Sequence, residues 1–155
     1  MRIAFGTHGS LRVLLVVMIL YFTAHAQTAS RKSSILGTWK GTSICTHVEG
    51  NDACKDEVVI YSVSDLNPNA DSVRFDAKKI VNEKVVPMFD LDLGYSNERH
   101  QWEAEFRSSR VHIRWSFVVH GNHMSGTCAD LPSLLVRRNV SVDRVPSGEP
   151  SSPPK

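Results

Sequence analysis

The 155-residue chain contains no nucleophile elbow, no glycine-rich loop to cradle a phosphate and no dinucleotide fingerprint, so nothing in it supports the common hydrolase or nucleotide chemistries. It also lacks a block of like charge. Of 18 Lys+Arg, two (Arg2 and Arg12) lie in residues 1–26, which hold no acid, leaving 16 residues of each sign in the remainder. A nucleic-acid partner is therefore not expected, nor a membrane partner once residues 1–26 are removed. Cysteine is scarce, with only three residues, and no run shows the 3.6-residue periodicity of a helix. The longest apolar run, Val13–Phe22, is shorter than the roughly 20 residues a membrane-spanning helix requires.

That run is better explained as the centre of a secretory signal. Basic residues precede it, and Ala24-His25-Ala26 supplies the small residues of a cleavage point before Gln27. Residues 1–26 are thus expected to be a signal peptide and the mature protein to be secreted or periplasmic. Residues 27–32 are expected to be a disordered lead-in. Residues 144–155, with four prolines and three serines, are expected to be a disordered tail, because they cannot bury enough apolar surface to offset their ordering entropy. Residues 33–143 remain as one domain, large enough for a single core.

The first folded stretch, Ile35 to Ser43, reads with period two. Ile35, Gly37, Trp39, Gly41 and Ser43 share one face, a large ring among small neighbours. Trp39 is placed to plug the floor of a closed barrel, with Gly41 and Ser43 leaving interior volume unfilled above it. Seven further strands follow. They are Glu57–Val63, Ser72–Val81, Val85–Leu93, His100–Arg107, Val111–Val119, Met124–Ala129 and Leu134–Val142, separated by short turns rich in Asn, Ser, Gly and Pro. Pro87 suits the start or the edge of its strand. Eight short strands joined in sequence predict an all-β, antiparallel, up-and-down barrel; a β-sandwich is the structural alternative.

At Gly37-Thr38-Trp39 and Arg138 the chain resembles the lipocalin-like, or calycin, barrels. In that family an Arg of the last strand packs over the Trp of the first, so the resemblance implies barrel closure by Gly37, Trp39 and Arg138. Val136, Arg138, Val140 and Val142 share one strand face, which makes Arg138 the inward residue and Arg137 the outward one. The turn between strands six and seven lacks the Thr-Asp-Tyr-like motif of true lipocalins, and no helix follows Val142. The likeness is to a small, outlying secreted member. Avidin-like proteins and small periplasmic metalloprotease inhibitors, which also open on Gly-x-Trp, are similar too.

Cys45 and Cys54 flank a polar turn, and a disulfide between them is the first choice of pairing; Cys45–Cys128 and Cys54–Cys128 stay open. Cys128 is then either a buried thiol or a site of intermolecular pairing. His120-x-x-His123 lacks the third and fourth ligands of a zinc site and reads as two solvated turn histidines, so neither metal nor cofactor is expected. Asp90 and Asp92 share a solvated strand face. Asn139-Val140-Ser141 fits the N-glycosylation pattern with Asn139 facing outward.

No residue is assigned a catalytic role, and an enzyme is the least favoured function. The expected function is a secreted binding barrel for a small apolar or amphipathic molecule. Trp39, Gly41, Ser43, Phe75, Phe89, Trp102, Phe106, Trp115 and Phe117 are the candidate ligand-binding residues. The alternative is a protein-interaction module, such as an inhibitor of a secreted protease, acting through the lead-in or the 46–53 loop.

Overall fold

A computed structural model describes residues 31–46 and 54–146. Residues 31–35 are helical, and eight strands follow: β1 (Gly37–Cys45), β2 (Glu57–Asp65), β3 (Ser72–Val81), β4 (Lys84–Ser96), β5 (Gln101–Arg107), β6 (His112–His120), β7 (His123–Asp130) and β8 (Val136–Arg144). They form a closed antiparallel barrel in which each strand pairs with its neighbours in sequence and β8 returns to β1. The sandwich alternative is excluded. The expected signal peptide and nearly all of the expected tail lie outside the described residues, as does the 47–53 turn.

Inward alternation places Trp39 of β1, Tyr61 of β2, Phe75 of β3, Leu93 of β4, Phe117 of β6, Met124 of β7 and Val142 of β8 in one core, each fully buried. The rings are in mutual contact. Tyr61 and Phe117 each lie near Phe75, at 4.7 Å between centroids, while Trp115 lies 6.0 Å from Phe117 and 5.1 Å from Phe89. Rings packed at these distances fill the middle of the barrel with tilted and stacked contacts.

One end is closed. There Ile35, expected to begin the first strand, belongs instead to the helical turn; it is buried, and its carbonyl accepts a hydrogen bond of 2.8 Å from Trp39 Nε1. Lys32, expected in a disordered lead-in, is also buried and donates to Asp65 Oδ1 (3.0 Å) and to the Asn67 carbonyl (2.6 Å). Arg31 lies over the Tyr95 ring at 4.6 Å. These ties to the β2–β3 and β4–β5 sides order two residues that composition alone assigned to the lead-in.

The second correction concerns closure. The guanidinium over the Trp39 ring is that of Arg144, at 4.2 Å from the centroid, and not that of Arg138. Arg144 also donates to the carbonyls of Leu36 and Ser34, so it ties β8 to both the Trp and the helical turn. It belongs to β8, which ends two residues later than expected, and Val145 N–H continues to the Thr38 carbonyl. Gly37, at φ +124°, lies so close to this guanidinium that a Cβ would stand 2.8 Å from its Nη1. The missing side chain of Gly37 therefore leaves room for Arg144, and not for Arg138, at the closed end.

Gly41 leaves no empty volume either. A Cβ there would come within 2.2 Å of the Ser141 carbonyl oxygen and 2.7 Å of Val142 Cα, so its small size is used by the backbone of β8.

The wall is uneven between β4 and β5. Their ladder covers only Gly94–Ser96 against Gln101–Glu103, whereas β4 follows β3 along almost its whole length. The half of β4 that contains Pro87 therefore has only β3 as a strand partner, which reconciles a mid-strand proline with its missing donor. Next to it the β3–β4 register slips, pairing Ala77 with Phe89 and Lys78 with Pro87, and leaves Met88 as the extra residue. Proline and bulge together discourage another strand from adding to this edge.

Candidate functional site

In an up-and-down barrel the odd-to-even hairpins share one end. Here that is the open end, carrying the Cys45–Cys54 connection and the β3–β4, β5–β6 and β7–β8 turns. A cavity of about 500 Å3 opens there between β6, β7 and β8. Its apolar lining comes from Val111, Ile113 and Leu131, and its polar lining from Arg110, His112, Asp130, Arg137 and Arg138, with Cys54 and Cys128 completing the walls. The size falls within the roughly 300–1,000 Å3 typical of small-molecule sites.

Arg138 is the inward-facing cation of the mouth. Its Nε donates to Ser43 Oγ (2.8 Å), and its Nη2 donates to the Ser43 carbonyl (3.0 Å), the Lys55 carbonyl (2.9 Å) and Glu57 Oε2 (2.9 Å). Its Nη1 lies 3.0 Å from Cys54 Sγ and 3.4 Å from Cys45 Sγ. Glu57 is shared with Lys79, at 2.7 Å. Arg138 therefore joins β8, β1 and β2 at the mouth, opposite in the barrel to the role the resemblance implied for it. Arg137, expected to point outward, is the extra residue where the β7–β8 register slips; it lines the same cavity and forms a 2.6 Å ion pair with Asp130. Arg110 adds a third cation, so the arginines of the lining outnumber its one carboxylate.

Cys45 and Cys54 are joined in a disulfide, as expected, and Cys128 is a free, buried thiol. Burial pushes the Cys128 pKa up to about 11, against a smaller opposing pull from Arg138. Tyr61 sits deeper. Burial drives its hydroxyl well above the ordinary phenol range, with Ser43 and then Arg138 pulling weakly the other way, and its oxygen has no partner in hydrogen-bonding geometry among the described residues.

The expected ligand-binding residues are not brought together at this cavity. Trp39, Phe75 and Phe117 are fully buried in the core, Trp102 and Trp115 nearly so, and Phe89 packs on Trp115. Trp102 instead meets Tyr95 edge-on at 5.3 Å. Phe106 is on the rim and 46% exposed, while Ser43 is buried beneath Arg138. The aromatic-rich interior face is legible from alternation, but the rings satisfy one another. Of the residues that form the mouth, the sequence assigns 111–113 and 134–138 to the ends of two strands and 130–133 to a turn, with no site among them; strand parity brings these ends together at one end of a closed meander.

Other candidates separate cleanly. His120 and His123 face each other across the β6–β7 turn, where His123 Nδ1 lies 2.8 Å from Asp143 Oδ1. Among the described residues no group of three or more His, Cys, Asp or Glu is placed to hold a metal ion. Asp90 and Asp92 are exposed and both pair with Arg74. Asn139 is exposed on the outer wall.

The architecture is an eight-stranded antiparallel closed barrel, consistent with a calycin-like fold. Compared with known proteins, the chain matches no family model, no curated protein and no solved structure.

Proposed function

We propose that this protein is a secreted, outlying lipocalin-like barrel that binds a small amphipathic anion at its open end, without turnover. The observation that carries this is the cavity of about 500 Å3 in which Val111, Ile113 and Leu131 stand beside Arg110, Arg137 and Arg138. An apolar wall removes the ligand's hydrocarbon from water, and cations at the mouth meet a carboxylate, sulfate or phosphate end. The filled aromatic interior supports a ligand held near the mouth in place of one sunk to the floor. Secretion is supported by the Cys45–Cys54 disulfide, which persists in oxidising compartments.

Native mass spectrometry of protein collected from a secreting host tests this, with calorimetric titration of a medium-chain carboxylate. An added mass that leaves on denaturation is expected, together with saturable carboxylate binding that weakens in Arg110→Ala. Bare protein that also fails to take up the carboxylate would remove the binding assignment.

A further inference from the structure

Ten large apolar side chains are exposed on the described residues, and nine of them are at the open end; only Leu66, after β2, is elsewhere. Val81, Val85 and Val86 occupy the β3–β4 tip, Phe106 and Val111 the β5–β6 tip, and Leu134 and Leu135 the β7–β8 turn. Exposed apolar residues concentrated in this way mark a contact surface, whereas scattered ones would not.

The same end carries an excess of exposed cations. Of its described acids, Glu57, Glu105 and Asp130 are each held by a cation (Lys79 and Arg138, Arg114, and Arg137 respectively), whereas Asp56 accepts only the Cys45 backbone N–H and Glu83 is exposed without an ion pair. Lys84 and Arg107, beside the apolar tips, are exposed, and no ion pair or side-chain hydrogen bond engages either among the described residues. Glu83 adjoins Lys84, and residues 47–53, outside the described set, contain Glu49 and Asp52. The overall charge is balanced, which argued against a membrane partner on the sequence alone, but among the described residues of this end four exposed cations without an ion pair, Lys55, Lys84, Arg107 and Arg110, stand against two such acids, Asp56 and Glu83.

We infer that the open end docks peripherally on an anionic phospholipid surface, with the three tips at 81–86, 106–111 and 134–135 in the interface. The arrangement favours a bilayer over a folded acidic protein. The apolar groups sit on separate turns around an opening, and a fluid interface accommodates all three, whereas a rigid partner needs a matching relief. Apolar side chains interleaved with unpaired Lys and Arg combine the two terms that hold peripheral proteins to such surfaces. The described residues begin and end at the closed end, at residues 31 and 146. Among the described residues no helix is long and apolar enough to cross a membrane, and none is needed for this contact. Docking does not depend on the cavity holding a ligand.

Vesicle sedimentation of protein collected from a secreting host tests it, comparing phosphatidylcholine alone with phosphatidylcholine containing about one-third phosphatidylserine. Binding is expected only to the anionic vesicles and should weaken as salt is raised. Each basic residue at such a surface is worth about fivefold in partitioning, so Lys84→Glu combined with Arg107→Glu should weaken binding by more than about tenfold. Val85→Ser with Leu134→Ser should weaken it by about tenfold while leaving the charge unchanged. Lys40→Glu, on the outer wall toward the closed end, should leave it unaltered. All five side chains are exposed, and circular dichroism verifies that each variant folds. Absence of binding to anionic vesicles, equal binding to neutral ones, open-end variants that bind like the parent, or an equal loss in Lys40→Glu would each overturn the inference. Capture of an acidic protein by the rim without vesicle binding would overturn it as well.

Discussion

Closure of the barrel predicts a specific energetic coupling between Trp39 and Arg144. The guanidinium lies 4.2 Å from the centroid of a fully buried indole and also donates to two backbone carbonyls of the 31–36 segment. A largely desolvated cation–π contact contributes about 1–2 kcal/mol. Losing two carbonyl hydrogen bonds adds about 1 kcal/mol each, so Arg144→Met should cost about 3–4 kcal/mol. Trp39→Leu keeps an apolar side chain but removes the ring and its bond to the Ile35 carbonyl, a loss of about 2–4 kcal/mol. Because both substitutions remove the same cation–π contact, the double variant should be less destabilised than the sum by about 1–2 kcal/mol. Arg138 pairs with Cys45, six residues further along β1 and therefore about 20 Å away. Trp39→Leu and Arg138→Met should accordingly add to within about 0.5 kcal/mol. Urea unfolding followed by far-ultraviolet circular dichroism measures all five variants. Coupling below about 0.5 kcal/mol for Arg144, or above about 1 kcal/mol for Arg138, would refute this account of closure.

Three further outcomes follow from the packing. Gly41→Ala places a Cβ against the backbone of Ser141 and Val142, which cannot rotate away, and should cost about 2–3 kcal/mol in urea unfolding; a loss below about 0.5 would show that β1 and β8 separate freely. Replacing Cys45 and Cys54 by Ser opens a loop of sequence separation 9, and chain entropy alone predicts a loss of about 2.5 kcal/mol; unchanged stability in the double Ser variant would contradict that. Cys128, with its pKa raised by burial to about 11, should be roughly one part in ten thousand thiolate at neutral pH. Its alkylation rate should therefore rise about tenfold per pH unit up to pH 10, and labelling at neutral pH as fast as an exposed cysteine would refute the burial.

Much of this architecture was legible in the chain. Strand number and the inward rings of β3 and β6 follow from alternation and turn residues, which are local and have a period of two, and the polar turn made Cys45–Cys54 the first choice among three pairings. Ile35 and Lys32 were misplaced because their ordering depends on contacts with Trp39, Asp65 and Asn67, which are distant in sequence or become geometric neighbours only after the barrel closes. The aromatic face was identified but not its use, since alternation reports which way a ring points and not whether other rings meet it. Phe75 and Phe117 are 42 residues apart in sequence and 4.7 Å apart in the core.

Parity is a local property of the chain: Arg138, Val140, Val142 and Arg144 all belong to one face of the last strand. Height along the barrel is set by the fold. The register between β8 and β1 sets Arg144 against Trp39 and Arg138 against Cys45, and in a closed barrel that register is a property of the stagger of all eight strands together. Closure of the meander then brings the alternate turns into one ring, so that apolar tips, exposed cations and the cavity meet at one end although the chain that encodes them is balanced in charge and spaces them far apart.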